Sequence, residues 1–354
     1  MSRFLNDRYR SMKAYTPGAQ PAVKNLIKLN TNESPFPPSP KVEAALRGAS
    51  EGLNRYSDLS SAPLVNALCE RDGVAPEQVI TGNGSDEILA FAMLAFGGKG
   101  ARFADITYGF YPVWAELFGI EKTIVPLDNN FAIRISDYLD AQSMIFIANP
   151  NAPTGIALPA SEIEEMLVAN PSCVVVVDEA YFGFGVETCA HLIDRYDNLL
   201  VVRTFSKSFA LAGARVGYAL GSAVLIEDMN KIRYSFHPYN LGTLPMLAAA
   251  AALHDGPYYE RMRGRITNCR EETARALDDM GFTMLPSSAN FLFAKHEKMP
   301  GNLLQEQLEG RGIYIRRFDQ PRIADYLRIT IGTEAQMESL RDNIANILKG
   351  ERYI

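Results

Sequence analysis

The chain has 354 residues, with 35 Lys and Arg against 41 Asp and Glu, a net charge of −6 and 47% hydrophobic residues. That length exceeds one ordinary hydrophobic core, so a large domain with a smaller companion is expected. The acidic balance argues against a general nucleic-acid binder, and no run approaches the roughly 18 apolar residues that a membrane-spanning helix needs.

Residues 1–10 mix both charges without an apolar stretch, so no signal peptide is expected and a cytoplasmic location is the simplest reading. The segment 15–18 (Tyr-Thr-Pro-Gly) reads as a turn and 26–30 as a short alternating strand. Residues 32–40 are too proline-rich for regular structure, and a helix is expected at 41–48. From Val79 onward, short apolar runs at 79–81, 101–106, 122–126, 144–148, 173–178, 199–204 and 216–220 read as strands. Helical patterns such as 86–96 and 161–169 lie between most of them. Short apolar strands separated by helices imply a mainly parallel sheet covered on both faces, with ligands at the carboxyl ends of its strands. After Pro245 the pattern becomes α+β: helices at 246–254, 258–280, 303–309 and 335–348, strands at 282–285, 290–294, 313–316 and 327–331.

The candidate chemistry sits in the loops that follow the strands. Lys207 lies in Thr-Phe-Ser-Lys-Ser just after an apolar strand, with Arg215 eight positions on. A lysine among apolar neighbours loses solvation and becomes a nucleophile, while Thr204, Ser206 and Arg215 suit a phosphate. An aldehyde cofactor with an anionic tail, pyridoxal phosphate (PLP), needs both; a plain surface lysine fits the same stretch equally well. The Gly82–Glu87 turn (Gly-Asn-Gly-Ser-Asp-Glu) can cap a helix and attract an anion, although it is neither a dinucleotide fingerprint nor a P-loop. Asp178 ends a buried strand and calls for a positive partner, with Tyr181 three residues beyond, and Tyr108 could stack on a flat heterocycle. Four scattered cysteines without a C-x-x-C pair and four scattered histidines make a zinc site or a Ser-His-Asp hydrolase unexpected.

Taken together these loops resemble those of the fold-type I PLP-dependent aminotransferases, and within them the histidinol-phosphate aminotransferases. The similarity runs through Tyr15-x-Pro-Gly, Leu29–Glu33, Arg55-Tyr56, Gly82–Glu87, Asn149–Gly155, Asp178–Tyr181, Ser206–Gly217, Pro238–Asn240 and Leu327–Gly332. It implies an α/β large domain with a seven-stranded, mainly parallel sheet and a smaller α+β C-terminal domain. The division would be an arm at 1–30 packing with the small domain or a partner subunit, a PLP domain at 31–245 and a small domain at 246–354. The resemblance further implies that Lys207 is the Schiff-base lysine and proton shuttle, Asp178 the partner of the pyridine nitrogen and Tyr181 the partner of O3′, with Tyr108 stacked on the ring. Gly84, Ser85, Asp86, Thr204, Ser206 and Arg215 would hold the cofactor phosphate, joined by Tyr56 from a second subunit of a homodimer. Arg328 would bind a carboxylate, Tyr15 and Arg316 the substrate phosphate, and Asn32 would line the pocket.

One position departs from the pattern. The asparagine usual before Pro-Thr-Gly is Ala152 here, so either Asn151 makes the O3′ contact or Tyr181 makes it alone. Successive strand residues face opposite sides, so only one of Arg316 and Arg317 is expected to enter the site. The expected reaction is transamination of histidinol phosphate with 2-oxoglutarate. Aromatic transamination, threonine-phosphate decarboxylation and a non-enzymatic PLP-fold binding module are the alternatives.

Overall fold

The computed structural model describes residues 2–21 and 26–350. Its N-terminal part contains β1 (Ile27–Leu29), α1 (Pro40–Leu46) and α2 (Ala62–Asp72). The large sheet and its helices then run β2 (Val79–Asn83), α3 (Gly84–Phe96), β3 (Ala101–Ala104), α4 (Phe110–Phe118), β4 (Lys122–Val125), β5 (Met144–Ala148), α5 (Ala160–Ala169), β6 (Val175–Asp178), β7 (Leu199–Thr204) and β8 (Val216–Gly221). Next come α6 (Ala223–Phe236), α7 (Thr243–Leu253) and α8 (Gly256–Asp278). The C-terminal part holds β9 (Phe282–Met284), β10 (Phe291–His296), α9 (Gly301–Glu309), β11 (Ile313–Arg317), β12 (Leu327–Thr330) and α10 (Glu334–Leu348).

The seven-stranded sheet has the order β2-β8-β7-β6-β5-β3-β4. Its strands are parallel except β8, which runs antiparallel to β2 and β7. Every residue of β5, β6, β7 and β8 is buried. The reason is visible in the alternation: Ile145, Ile147, Val175 and Val177 point into one helix-covered core, Phe146, Ala148 and Val176 into the other. A strand covered on both faces needs apolar residues at every position, which is why these runs are continuous. Register pairs Ala148 with Asp178 and Asp178 with Val202, so β5 and β6 end level, β7 runs two residues further, and their loops meet at one edge.

The second sheet, β1-β11-β12-β10-β9, combines a parallel β1–β11 pair with antiparallel neighbours. Its core holds Leu29, Ile313, Ile315, Phe291 and Ile329 against Leu340 and Ile344 of α10. A reciprocal capping box of Thr333 and Gln336 starts α10. Position 245 falls inside α7, whose Met246, Ala248 and Ala249 pack with the large sheet; α8 joins the two cores, with Tyr259 in the first and Ile266, Cys269 and Leu277 in the second.

Among the described residues no helix is long and apolar enough to cross a membrane, and no group of three or more His, Cys, Asp or Glu could hold a metal.

Candidate active site

A cavity of about 470 Å³ opens where the loops after β2, β3, β5, β6 and β7 face the small sheet. It contains most of the side chains expected from the sequence: Ser85, Asp86, Tyr108, Asp178, Tyr181, Thr204, Ser206, Lys207 and Arg215 on one side, Tyr15, Asn32, Arg316 and Arg328 on the other.

One end is built for an anion. Gly84 opens α3 at φ +78°, and a Cβ there would lie 2.5 Å from Arg215 Nη2, so glycine lets the guanidinium close over the helix start. Arg215 itself sits in the left-handed region at φ +53°, a conformation costing about 1–3 kcal/mol that tends to persist at functional sites. Its Nη1 donates to Ser206 Oγ at 3.3 Å and its Nη2 to Asp86 at 2.8 Å; Thr204 Oγ1 donates to Ser206 Oγ at 2.9 Å. The free N–H groups of the first turn of α3 complete a cradle of one cation, hydroxyls and backbone donors.

Lys207 Nζ donates to the Thr31 carbonyl at 3.1 Å. Desolvation, helped by the positive charge of Arg328, lowers its pKa to about 8, so the free amine is far more accessible near neutrality than in an exposed lysine. Asp178 is 4% exposed; Oδ1 accepts from the Ala180 N–H at 3.1 Å and Oδ2 from the Tyr111 hydroxyl at 2.8 Å. Burial raises its pKa to about 7, and among the described residues it has no ion-pair partner. A buried carboxylate left in that state is matched by a cationic ring nitrogen. Amine, unpaired carboxylate and anion cradle therefore fit the aldehyde, ring and phosphate of PLP.

Tyr108 donates to Asp86 Oδ1 at 2.7 Å, and Tyr181 accepts from Asn32 Nδ2 at 2.7 Å. Burial raises the proton affinity of both phenols, which remain neutral donors.

The opposite wall carries two arginines. Register sets Arg316 directly across from Arg328, and like charges in such a pair repel. Burial lowers the proton affinity of Arg328; Tyr181 and Tyr15 oppose this, and the nearby Arg316 charge adds a smaller lowering. An anionic substrate relieves that repulsion. Arg316 donates to the carbonyls of Thr16 and Pro17 at 3.2 and 3.3 Å, and Arg328 to the Asn30 carbonyl at 2.9 Å. Arg317 turns away to Asp319 and the Ala324 carbonyl, so Arg316 is the arginine that enters. Tyr15 stacks on Phe110 with centroids 3.9 Å apart.

Two expected residues lie elsewhere. Asn151 does not line the cavity: its amide donates to the Ile106 carbonyl at 2.9 Å and Thr154 Oγ1 at 3.0 Å and accepts from Thr107 at 2.8 Å. Ala152 takes its place on the wall, which leaves Tyr181 as the phenolic neighbour of the ring site. Tyr56 is 81% exposed outside its own chain's cavity, stacked on Tyr239 at 4.5 Å. Thr31 and Tyr111 were not singled out from the sequence; the first acts through its carbonyl, which no side-chain pattern reveals, and the second lies one helical turn after Tyr108.

A fold of this topology with a lysine, a buried aspartate and an anion cradle at the strand ends matches the family model for aminotransferase class I and II over residues 24–344, and the chain belongs to that family. It is 47% identical over 347 residues to a histidinol-phosphate aminotransferase of Marinomonas sp., covering 96% of this chain and 98% of the relative. It is 45% identical over 346 residues to histidinol-phosphate aminotransferase 2 of Burkholderia lata, again covering 96% and 98%. Among solved structures, the histidinol-phosphate aminotransferase of Sinorhizobium meliloti in complex with pyridoxal-5′-phosphate superposes with a TM-score of 0.85 at 26% identity, covering 92% of each chain.

Proposed function

We propose that this chain is a PLP-dependent aminotransferase that moves the amino group of L-histidinol phosphate to 2-oxoglutarate, giving imidazole acetol phosphate and L-glutamate. The observation that carries the reading is the convergence in one cavity of Lys207, Asp178 and the Arg215 cradle, facing the paired arginines Arg316 and Arg328. The relatives' names support the choice of substrate.

Bound there, PLP would supply an aldehyde for amine exchange and an electron sink for the electrons of the substrate's Cα–H bond. Lys207 would be the amine that binds the cofactor and the base that moves the proton to and from the substrate's Cα. A pKa near 8 suits both tasks, because the group must lose and regain a proton within one turnover. Asp178 would pair with the ring nitrogen and keep it cationic. Ser85, Thr204, Ser206 and Arg215, with the backbone N–H of Asp86, would hold the cofactor's phosphate end, Gly84 giving the close approach and the Asp86 carboxylate orienting Arg215. Tyr108 would cover the ring and Tyr181 would donate to its phenolic oxygen. Arg316 and Tyr15 take the substrate phosphate, or the side-chain carboxylate of the second substrate, which a planar guanidinium fork can also bind. Arg328 takes the α-carboxylate, and Asn32 fixes Tyr181.

The exposure of Tyr56 supports a homodimer in which it reaches the cofactor phosphate of the other subunit. The pairing of β1 with β11 supports an N-terminal arm that packs with the small domain. A cytoplasmic enzyme of soluble amino-acid metabolism is the matching location.

Lys207→Ala should abolish transamination and the absorption of lysine-bound cofactor. Comparing kcat/KM for histidinol phosphate, phenylalanine and threonine phosphate tests the substrate. A strong preference for phenylalanine would refute that assignment while leaving the cofactor chemistry intact.

A further inference from the structure

Tyr111 does not line the cavity but stands behind Asp178. It is 0% exposed in the first turn of α4. Its ring is held by Phe146 at 5.1 Å, Tyr108 at 5.6 Å and Phe103 at 5.8 Å, so packing from β5, β3 and the preceding loop fixes where its oxygen lies. That oxygen makes one side-chain hydrogen bond, 2.8 Å to Asp178 Oδ2. The other carboxylate oxygen accepts from the Ala180 N–H. Two donors on rigid supports, one on each oxygen, set the plane of the carboxylate.

We propose that Tyr111 is a positioning residue for the cofactor: its hydroxyl turns the Asp178 carboxylate toward the ring nitrogen and holds it ionised. The inference rests on the reading of the cavity as a PLP site. An ionised carboxylate only accepts hydrogen bonds, so the phenol must donate. Burial raises the proton affinity of Tyr111 well above the ordinary phenol range, so it remains a donor throughout the working pH range. The groups that bear on Asp178 are opposed. Burial, Asp86 of α3 and the neighbouring Glu179 favour its protonated form; Tyr111 and the Ala180 N–H favour the ionised form. Tyr108 and Tyr181 also face it as neutral phenols, and Lys207 and Arg215 line the same cavity as cations. Removing one donor from so finely opposed a set shifts the balance toward protonation, and a protonated Asp178 no longer matches a cationic ring.

The test is Tyr111→Phe, which keeps the ring and removes one oxygen. Apo-protein is titrated with PLP from pH 5.5 to 9, following absorption and quenching of Trp114 fluorescence, with thermal unfolding as the check on folding. A hydrogen bond to a charged group corresponds to roughly a 10- to 100-fold effect, so PLP affinity at pH 7.5 should fall by about tenfold or more. The pH below which affinity declines should rise by about one unit. Incorporation of 3-fluorotyrosine at 111, a more acidic and hence stronger donor, should move that pH downward. Unchanged affinity and pH dependence in a folded Tyr111→Phe protein would overturn the proposal while the cofactor reading stands. If the unaltered apo-protein shows no saturable PLP binding at any pH, the cofactor reading itself fails. A midpoint displaced the same way by both substitutions also overturns it, because packing and not donor strength would then be at work.

Discussion

Behind the site lies a charge network whose removal has a calculable cost. Arg203 and Glu179 have side chains 2% and 0% exposed and meet at 2.9 Å. Arg203 also reaches Tyr218 at 3.2 Å and Asp72 at 3.3 Å, bonds to Thr188, and lies over the Phe182 ring at 4.0 Å. Glu179 accepts in addition from the Cys189 N–H at 2.7 Å and from Thr188. Arg203→Met preserves most of the apolar stem but leaves Glu179 buried without its cation; Asp72 retains Arg71 at 2.6 Å. Breaking one partner of a buried pair costs about 3–5 kcal/mol. With a urea dependence of about 3 kcal/mol per molar, the unfolding midpoint should fall by roughly 1–2 M. Trp114, the chain's single tryptophan, is packed in the core on one face of the large sheet, so its fluorescence reports unfolding there. The double variant Arg203→Met/Glu179→Leu should recover most of the loss, since an apolar pair of similar volume has no charge to desolvate. A single-variant loss below about 1 kcal/mol, or a double variant no better than the single, would refute the reasoning.

Two further outcomes follow from the cradle and the lysine. Gly217→Ala places a Cβ 2.3 Å from the Ser85 nitrogen and 2.4 Å from the Gly84 carbonyl carbon, so the start of α3 must move. PLP affinity should drop at least tenfold with an overpacking penalty of about 1–3 kcal/mol; equal affinity in an equilibrium titration would contradict the close approach. Lys207 should titrate near 8 in competitive acetylation of the apo-protein followed by mass spectrometry, against about 10.4 for exposed lysines. The sign matters: its folded pKa lies below the unfolded value, so its charge opposes folding most at low pH, and that penalty fades as pH rises from about 8 to 10.5. An apparent value above 10 would refute the desolvated setting.

The large sheet was readable because its strands are covered on both faces and therefore apolar throughout; 144–148 and 199–204 coincide with β5 and β7. Helix α4 was not, because Phe-Tyr-Pro-Val-Trp looks like a loop until Pro112 is seen to occupy the first turn, where its missing N–H costs nothing. Lys207, Asp178 and the 84–86 turn were legible because each follows an apolar strand directly. The choice between Arg316 and Arg317 needed register, which pairs Arg316 with Arg328. The orientation of Asn151 needed the tertiary fold, where one local hydrogen bond and two to the loop after β3 hold its amide away from the cavity. The Thr31 carbonyl beside Lys207 comes from 176 residues away in sequence, a proximity no local pattern encodes.

The wall opposite Lys207 belongs to the small sheet. Thr330 Oγ1 bonds Asn32 on both its N–H and its amide oxygen, Asn290 holds the Asn32 carbonyl, and Arg328 holds that of Asn30. The residues that would choose a substrate are thus knitted to one another and touch the reactive half through few bonds, chiefly Asn32 to Tyr181 and Lys207 to Thr31. Chemistry and choice of substrate can therefore be inherited separately. A lineage can redraw β11 and β12 to admit a different acid without disturbing the amine that reacts with it.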